Sequence, residues 1–247
     1  MDHDIYIDYC GLGSPCGENW HLNQDIEIQR VYYIFSGTGW YSSGGGMRQC
    51  FQKGHLYLFP YNLKHRFFTD PADPIRHLFF DFLSAPPIIA QEPLALHVHP
   101  DSQLRIALDL AQSILGTHPR TSIAKSPISR HLLQLILDLA NEQIPIPYQT
   151  DPAICQALKV IQTEYSKAIT VRDLAQQAGF EENHFIRRFR NIMKQTPYAY
   201  LKNYRLIQAR TLLTEGISAA EVALRVGYTS SASLLRALHR FEAHKNT

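Results

Sequence analysis

The chain has 247 residues, of which 45% are apolar and 19% are charged. This length and composition suit one large or two modest domains with real cores, and they exclude wholesale disorder. No segment approaches the roughly 20 consecutive apolar residues that a membrane-spanning helix needs, and the acidic N-terminus lacks the layout of a signal peptide. We therefore expect a cytoplasmic protein with no membrane partner.

The net charge of +2 is divided unevenly along the chain. Residues 1–150 contain 10 basic and 14 acidic residues, a net charge of −4, whereas residues 151–247 contain 14 basic and 8 acidic residues, a net charge of +6. A basic segment beside an acidic one favours a polyanionic partner for the basic part, although many solvated domains are equally basic.

Short runs rich in β-branched and aromatic residues extend from Gln29 to about Leu83 and indicate strands. The runs are VYYIF, GTGWYSS, MRQCFQKG, HLYLFP, HRFFT and RHLFFDF. Many short strands separated by Gly, Pro, Asn and Asp are typical of a sandwich or barrel, here predicted over about 20–85. The run Gly44-Gly45-Gly46 predicts a hairpin tip, because glycine accepts a positive φ.

After SAPPIIAQEP the apolar period becomes helical and predicts two helices within about 101–142. The second begins at Ser126-Pro127, a capping serine followed by a proline suited to the first turn. Its leucines and isoleucine cover more than one face, so its second stripe packs either within this chain or on a partner chain. Prolines at 145, 147 and 152 then preclude continuous helix, which predicts domains at 1–145 and 146–247.

One pattern occurs twice in the C-terminal part, as DLAQQAGFEENHFIRRF and EVALRVGYTSSASLLRAL. Gly179 and Gly227 are 48 residues apart, whereas Arg187 and Arg236 are 49 apart, so the second copy has one extra residue in its turn. Each copy predicts a helix, a glycine turn and a second helix, which is a helix-turn-helix. The two are predicted at about 171–190 and 219–240. A helical bundle that does not bind DNA is the alternative.

Residues of each second helix that lie between its buried positions must face outward, where arginine, asparagine, histidine and serine suit phosphates or base edges. The predicted DNA-binding residues are Asn183, His184, Ile186, Arg187 and Arg190 in the first copy and Ser231, Ala232, Ser233, Leu235 and Arg236 in the second.

Residues from about 152 to 241 resemble the DNA-binding domain of the AraC/XylS family of bacterial regulators. The resemblance rests on Pro197-x-x-Tyr200-Leu201-x-x-x-Arg205-Leu206-x-x-Ala209-Arg210 and on Ile217-Ser218-x-x-Glu221-Val222-Ala223-x-x-Val226-Gly227-Tyr228. The resemblance implies two helix-turn-helix units joined by a rigid helix near 197–214. The second helices of the two units would enter successive segments of the DNA major groove. Two departures stand out. Lys194 occupies a position where the family usually has glycine, and after RFEAHKNT the usual last helix is lacking.

The N-terminal part resembles the cupin-like effector domain of sugar-responsive relatives, through Phe35-Ser36-Gly37-x-Gly39 and Gly54-His55-Leu56-Tyr57-Leu58-Phe59-Pro60-x-x-x-x-His65. The strand after Gly39 offers no His-x-His or Glu, and the four cysteines match no zinc or redox spacing, so we expect no metal, no cofactor and no enzymatic activity. The resemblance implies an effector pocket lined by Ser36, His65, Phe67, His77 and Phe79.

Together these features predict a two-domain α+β protein: a cupin-like β-barrel with two helices, then an all-α double helix-turn-helix domain. The predicted function is a DNA-binding transcriptional regulator, an activator that responds to a small carbohydrate-like effector. Its expected partners are double-stranded DNA, the effector, a second copy of the chain and RNA polymerase. The alternatives are a cupin-type enzyme with a helical appendage and a truncated regulator with impaired DNA binding.

Overall fold

The structure is a computed structural model that describes residues 4–13, 28–43, 46–61, 63–117 and 126–243. The chain divides into two compact units, Met1–Tyr148 and Gln149–Thr247, which we call the N-terminal and C-terminal units. The first contains strands and helices and the second contains helices, so the fold is α+β. Within the described ranges no helix has the length and apolarity needed to cross a membrane. Residues 44 and 45 of the predicted hairpin tip lie outside the described residues.

The strands of the N-terminal unit form two antiparallel sheets, ordered β1-β7-β2-β5-β8 and β4-β3-β6. The strand bounds are β1 (Asp4–Gly13), β2 (Gln29–Ser36), β3 (Gly39–Ser43), β4 (Gln49–Cys50), β5 (His55–Phe59), β6 (His65–Thr69), β7 (Arg76–Ala85) and β8 (Leu94–His97). Strands β1 and β8 lie outside the predicted barrel range of about 20–85. In β1, the buried Ile5 and Ile7 alternate with more polar residues, which is a pattern typical of strands. The acidic residues of the N-terminus make this pattern hard to see in the sequence.

Alternation along β7 divides the N-terminal unit into two cores. Phe79 belongs to an aromatic cluster that joins the two sheets, whose buried members are Tyr32, Ile34, Tyr41, Phe51, Tyr57, Phe59, Phe67, Ile75 and Phe79. Leu78, Phe80 and Phe82 point to the opposite face, where they pack with helices α1 (Gln103–Gly116) and α2 (Pro127–Gln143). Successive side chains of a strand point to opposite faces, which is why one strand contributes to both cores.

Serine caps both of these helices. Ser102 accepts a hydrogen bond from the backbone N–H of Arg105, and Ser126 accepts one from Ile128, with Pro127 in the first turn of α2. Each serine thereby satisfies an N–H group that has no partner inside the helix.

The C-terminal unit consists of helices α3 (Pro152–Glu164), α4 (Val171–Gln177), α5 (Glu182–Met193), α6 (Pro197–Thr214), α7 (Ala219–Arg225) and α8 (Ser231–Ala243). Side-chain caps define where most of them begin: Asp151, Thr170, Glu181, Thr196 and Ser218 each accept a hydrogen bond from the first turn. Asp, Thr and Ser are favoured at this position and precede apolar periodic runs here, so the sequence itself sets all of these helix starts except that of α5, where the cap is Glu181.

Candidate DNA-binding interface

The first helix pair, α4 and α5, is joined by residues 178–181. Gly179 takes a φ of +75°, and its position beside Ala178 ends α4. The N–H of Phe180 then donates to the carbonyl of Ala175 across 2.9 Å. Ala175 is 1% exposed, and because its side chain is small the second helix approaches closely.

The second helix pair, α7 and α8, repeats this geometry with residues 226–230 as its turn. Gly227 has a φ of +78°, and the N–H of Tyr228 donates to the carbonyl of Ala223 across 2.8 Å. The turn between the helix bounds is one residue longer than in the first pair. Two turns with equivalent glycines and equivalent hydrogen bonds show that the repeat in the sequence is a structural repeat.

The second members of these pairs, α5 and α8, are called the reading helices. Each is anchored by buried apolar residues: Phe185, Phe189 and Met193 in α5, and Leu234, Ala237 and Leu238 in α8. The rings of Phe185 and Phe189 lie 5.8 Å apart, and Phe189 contacts Tyr200 of α6 at 5.9 Å. Anchoring one face of a helix in a core fixes which residues its other face presents to solvent.

The predicted DNA-binding residues lie on the solvent side of these helices. Asn183, His184, Arg187 and Arg190 are exposed and Ile186 is half-buried in α5. In α8, Ala232, Leu235 and Arg236 are exposed, whereas Ser231 and Ser233 are half-buried. The contacts of these residues with DNA stay a prediction.

Arg188, between two predicted contact residues, faces a different partner. Its Nε donates to Oδ2 of Asp151 across 2.8 Å, and its guanidinium lies 5.3 Å from the ring centre of Phe180. Asp151 also caps α3 through its other carboxylate oxygen. Arg188 therefore ties the reading helix α5 to the start of α3, a role that sequence spacing alone does not reveal.

Arg205 of α6 links the second helix pair to the end of α3, as Arg188 links the first pair to its start. Its Nε donates to the carbonyl of Tyr165 and its Nη2 to that of Lys167, both across 2.6 Å. Gly227 lies beside this guanidinium, because a Cβ built there would be 3.1 Å from the Arg205 Cζ. Arg205 thus joins the end of α3 to the turn of the second helix pair.

The N-terminal unit holds the residues predicted to bind an effector. Three of these residues lie close to Tyr32 of the aromatic cluster. The ring centre of Tyr32 is 5.2 Å from that of Phe67 and 4.9 Å from that of His77. The ring of His77 is in turn 5.6 Å from that of Phe79. His65 is buried 6.2 Å from Phe67. Ser36 lies at the end of β2, after a register shift, opposite Arg76. Four of the five predicted residues are therefore gathered in one buried region.

Two charged residues that are not among the predicted effector-binding residues lie in the same region, although strand alternation places Asp81 on the face of His77 and Phe79. Arg30, 1% exposed, has its Nε 3.4 Å from Oδ1 of Asp81, and its guanidinium lies 5.6 Å from the centre of the Phe67 ring. Asp81 stands between Phe80 and Phe82, whereas Arg30 follows the polar Gln29, so alternation with apolar residues indicates burial for Asp81 but not for Arg30. Among the residues described, no group of three or more histidine, cysteine or acidic side chains is placed to hold a metal ion.

His65 is held as a neutral ring. Its Nδ1 lies 3.0 Å from the Ser43 hydroxyl, and its Nε2 lies 3.4 Å from the carbonyl of Pro60. Burial, together with the positive charge of Arg30, lowers the pKa of His65 to about 3.

This pKa makes the stability of the N-terminal unit pH-dependent. An unfolded histidine has a pKa of about 6.5, so below that pH the unfolded chain binds a proton that the folded chain does not. We expect His65 to remove up to about 1.4 kcal/mol of stability for each pH unit below 6.5. Urea titrations at pH 7, 6 and 5 measure this. His65→Gln should make the free energy of unfolding less dependent on pH, whereas the exposed control His131→Gln should not. If stability changed with pH equally in both variants, His65 would not be the source of the dependence.

Comparison with known proteins addresses the C-terminal unit directly. A family model described as a helix-turn-helix domain matches residues 174–244, which include both reading helices. Residues 174–244 form a helix-turn-helix domain of the AraC type, which we call the AraC-type domain. The resemblance inferred from the duplicated motif is thus confirmed.

Curated relatives match part of this chain. The uncharacterized HTH-type transcriptional regulator YbfI of Bacillus subtilis is 23% identical over 126 residues, which cover 49% of this chain and 45% of YbfI. The HTH-type transcriptional regulator AlkR of Acinetobacter baylyi is 34% identical over 90 residues, or 36% of this chain and 29% of AlkR. The match covers less than half of the length of these relatives.

Solved structures extend the fold comparison to the whole chain. ToxT from Vibrio cholerae aligns with 96% of this chain and 92% of its own, with a TM-score of 0.57 and 9% sequence identity. At this identity the likeness shows that the two-unit architecture is shared, and it shows nothing about ligands.

Lys194 lies between the two helix pairs of the AraC-type domain, at the end of α5. It has a φ of +59° and a ψ of +5°, and its Nζ donates to the carbonyl of Asn191 across 2.8 Å. The sequence resemblance placed a glycine here, and the left-handed backbone explains why, since a Cβ in this conformation costs about 1 kcal/mol.

Lys194→Gly should therefore stabilise the AraC-type domain by about 1 kcal/mol, because glycine adopts this conformation without strain. Thermal unfolding followed by circular dichroism at the helix band measures the gain. Lys194→Ala, which removes the Nζ bond but keeps the Cβ, is the control and should not stabilise. A loss of stability in Lys194→Gly would mean that the Asn191 bond outweighs the backbone strain.

Proposed function

We propose that this protein is a DNA-binding transcriptional regulator, an activator controlled by a small carbohydrate-like effector. The observation that carries the proposal is the duplicated helix pair, whose reading helices bury one face and leave polar side chains exposed on the other. The net charge of +6 in residues 151–247 suits a polyanion, and the matched relatives YbfI and AlkR are named as transcriptional regulators.

DNA binding is tested with duplexes from the region upstream of the protein's own gene. Arg187→Ala and Arg236→Ala each remove an exposed cation from a reading helix, and each should weaken binding and lower the salt slope by about 1. Arg130→Ala, which removes an exposed arginine from α2, is the control. It should leave the affinity for DNA and the salt slope unchanged. If neither reading-helix variant differs from the control, the assignment of α5 and α8 fails.

The proposed effector site is the region around Phe67, His77 and Phe79. Aromatic rings beside charged groups suit a sugar, whose C–H face stacks on rings while its hydroxyls pair with polar atoms. Arg30 and Asp81 supply such polar atoms next to the Phe67 ring. The other two proposed lining residues are His65, in the same buried region, and Ser36, at the end of β2.

Structures of ToxT with an unsaturated fatty acid and with a naphthalenyl butenoic acid supply the rival class of effector. A thermal-shift screen of sugars against fatty acids, repeated with Phe67→Ala, separates the two. Stabilisation by sugars that Phe67→Ala abolishes supports the proposal, and stabilisation by fatty acids alone would replace it.

A homodimer is part of the proposal, because α1 and α2 leave large apolar side chains on their outer faces. Ile106 and Leu110 of α1 are 66% and 48% exposed, and Ile128 and Leu135 of α2 are 52% and 43% exposed. Light scattering of the wild-type chain and of Leu110→Glu tests the dimer. An activator would in addition contact RNA polymerase, which transcription in vitro with purified polymerase would test.

A further inference from the structure

The two reading helices differ in the charge at their N-terminal ends. Helix α5 begins with Glu182, directly after the capping Glu181, so two carboxylates stand at the end of the helix that would face DNA. By contrast, the first turn of α8 contains no acidic residue, and the one acidic residue of this helix, Glu242, comes at its far end, beyond the exposed arginines Arg236 and Arg240. A carboxylate near a phosphate is repelled, whereas arginine is attracted to every phosphate whatever the base sequence.

Two of the three arginines of α5 have an acidic neighbour, and the third, Arg190, is exposed. Arg188 is bound to Asp151, and Arg187 lies close enough to Glu181 to help lower the pKa of that carboxyl, after the hydrogen bonds from the N–H groups of Asn183 and His184. In α8, Arg240 donates only to the backbone carbonyl of Arg236 among the bonds that the structure describes there. At the end that would face DNA, the second reading helix therefore has no carboxylate to oppose its arginines, whereas the first has two.

The side chains in the first turn are longer in α5 than in α8. The first turn of α5 carries Glu182, Asn183 and His184, which are long polar side chains able to accept from or donate to base edges. The first turn of α8 carries Ser231, Ala232 and Ser233, and the Ser233 hydroxyl is already donated to the carbonyl of Ser230 across 2.7 Å. Short side chains let a helix end come close to the DNA backbone but reach few base edges.

From these three contrasts, and resting on the proposed function, we infer that the two helix pairs divide the work of DNA recognition. The first pair discriminates between base sequences, with Glu182 as a specificity-determining residue that weakens binding to DNA lacking a suitable donor. The second pair anchors the protein to phosphates through Arg236 and Arg240 with little preference for sequence.

The experiment compares two duplexes of equal length: one selected from a random-sequence pool by the wild-type chain, and a shuffled version of it. Fluorescence anisotropy gives both affinities over a range of salt concentrations. Glu182→Gln should raise the affinity for the shuffled duplex about threefold, because it removes one repulsive charge. Asn183→Ala should lower the affinity ratio of selected to shuffled duplex roughly tenfold, which is the discrimination expected from one base contact.

Arg236→Ala combined with Arg240→Ala should weaken binding to both duplexes alike, lower the salt slope by about 2 and leave the affinity ratio within about twofold of wild type. Circular dichroism checks that each variant is folded. A ratio that falls as much in the arginine variant as in Asn183→Ala, or an unchanged shuffled-duplex affinity in Glu182→Gln, would overturn the inference. If the pool yields no binding sequence for the wild-type chain, it is the proposed function that fails.

Discussion

Asp81→Ala is expected to destabilise the N-terminal unit by about 3–5 kcal/mol, because it removes a charged partner from the buried Arg30 guanidinium. The side chains of Arg30 and Asp81 are 1% and 5% exposed, respectively. Breaking a buried pair by removing one partner costs far more than the pair contributes to stability. Both tryptophans, Trp20 and Trp40, precede residue 149, so urea unfolding followed by tryptophan fluorescence reports on this unit alone.

The control is the double variant Arg30→Met with Asp81→Leu. It removes both charges and retains apolar volume, and we expect it to recover most of the lost stability. A double variant as unstable as Asp81→Ala would show that the loss comes from packing. A cost below about 1 kcal/mol in Asp81→Ala would show that Arg30 gains solvent when its partner is removed.

Gly227→Ala is expected to destabilise the AraC-type domain by about 2–5 kcal/mol and to weaken DNA binding with it. Two costs combine at this position. A Cβ is unfavourable at a φ of +78°, and it would lie 2.8 Å from the carbonyl oxygen of Ser166, a backbone atom that cannot move alone. The same Cβ would press on Arg205, which holds the end of α3.

The duplicated motif provides the matched control, Gly179→Ala. Gly179 has nearly the same φ, +75°, but a Cβ there would meet nothing within 4 Å. Only the backbone cost of about 1–2 kcal/mol should remain. Circular dichroism of both variants in urea gives the comparison. Equal losses would show that the contact with Ser166 relaxes freely and that backbone conformation alone explains why both turns use glycine.

Local chemistry made much of the C-terminal unit predictable. Capping residues such as Thr170 and Ser218 mark helix starts, and Gly179 and Gly227 mark helix ends, because these effects act within one helical turn. The 48-residue repeat of the glycines then predicted a structural repeat without any knowledge of long-range contacts. The exposed faces of α5 and α8 followed from helical periodicity in the same way.

The N-terminal unit shows where such reasoning stops. Strand β1 pairs with β7 across more than sixty residues of chain, and no local pattern specifies that partner. The burial of Arg30 beside Asp81 depends on β2 and β7 being neighbours in the sheet, so the sequence offered two charges but not their pairing. The same holds for Arg188 with Asp151 and for Arg205 with Tyr165.

The sequence by itself therefore determined the elements that depend on neighbouring residues: helix starts, glycine turns, the repeat and the outward faces of the reading helices. Only the tertiary structure decided which side chains meet across the chain, and so which arginines are tied to the protein and which remain exposed to solvent. The physical reason is range, since capping and backbone strain act over a few residues, whereas ion pairs and packing form between any residues that the fold brings together.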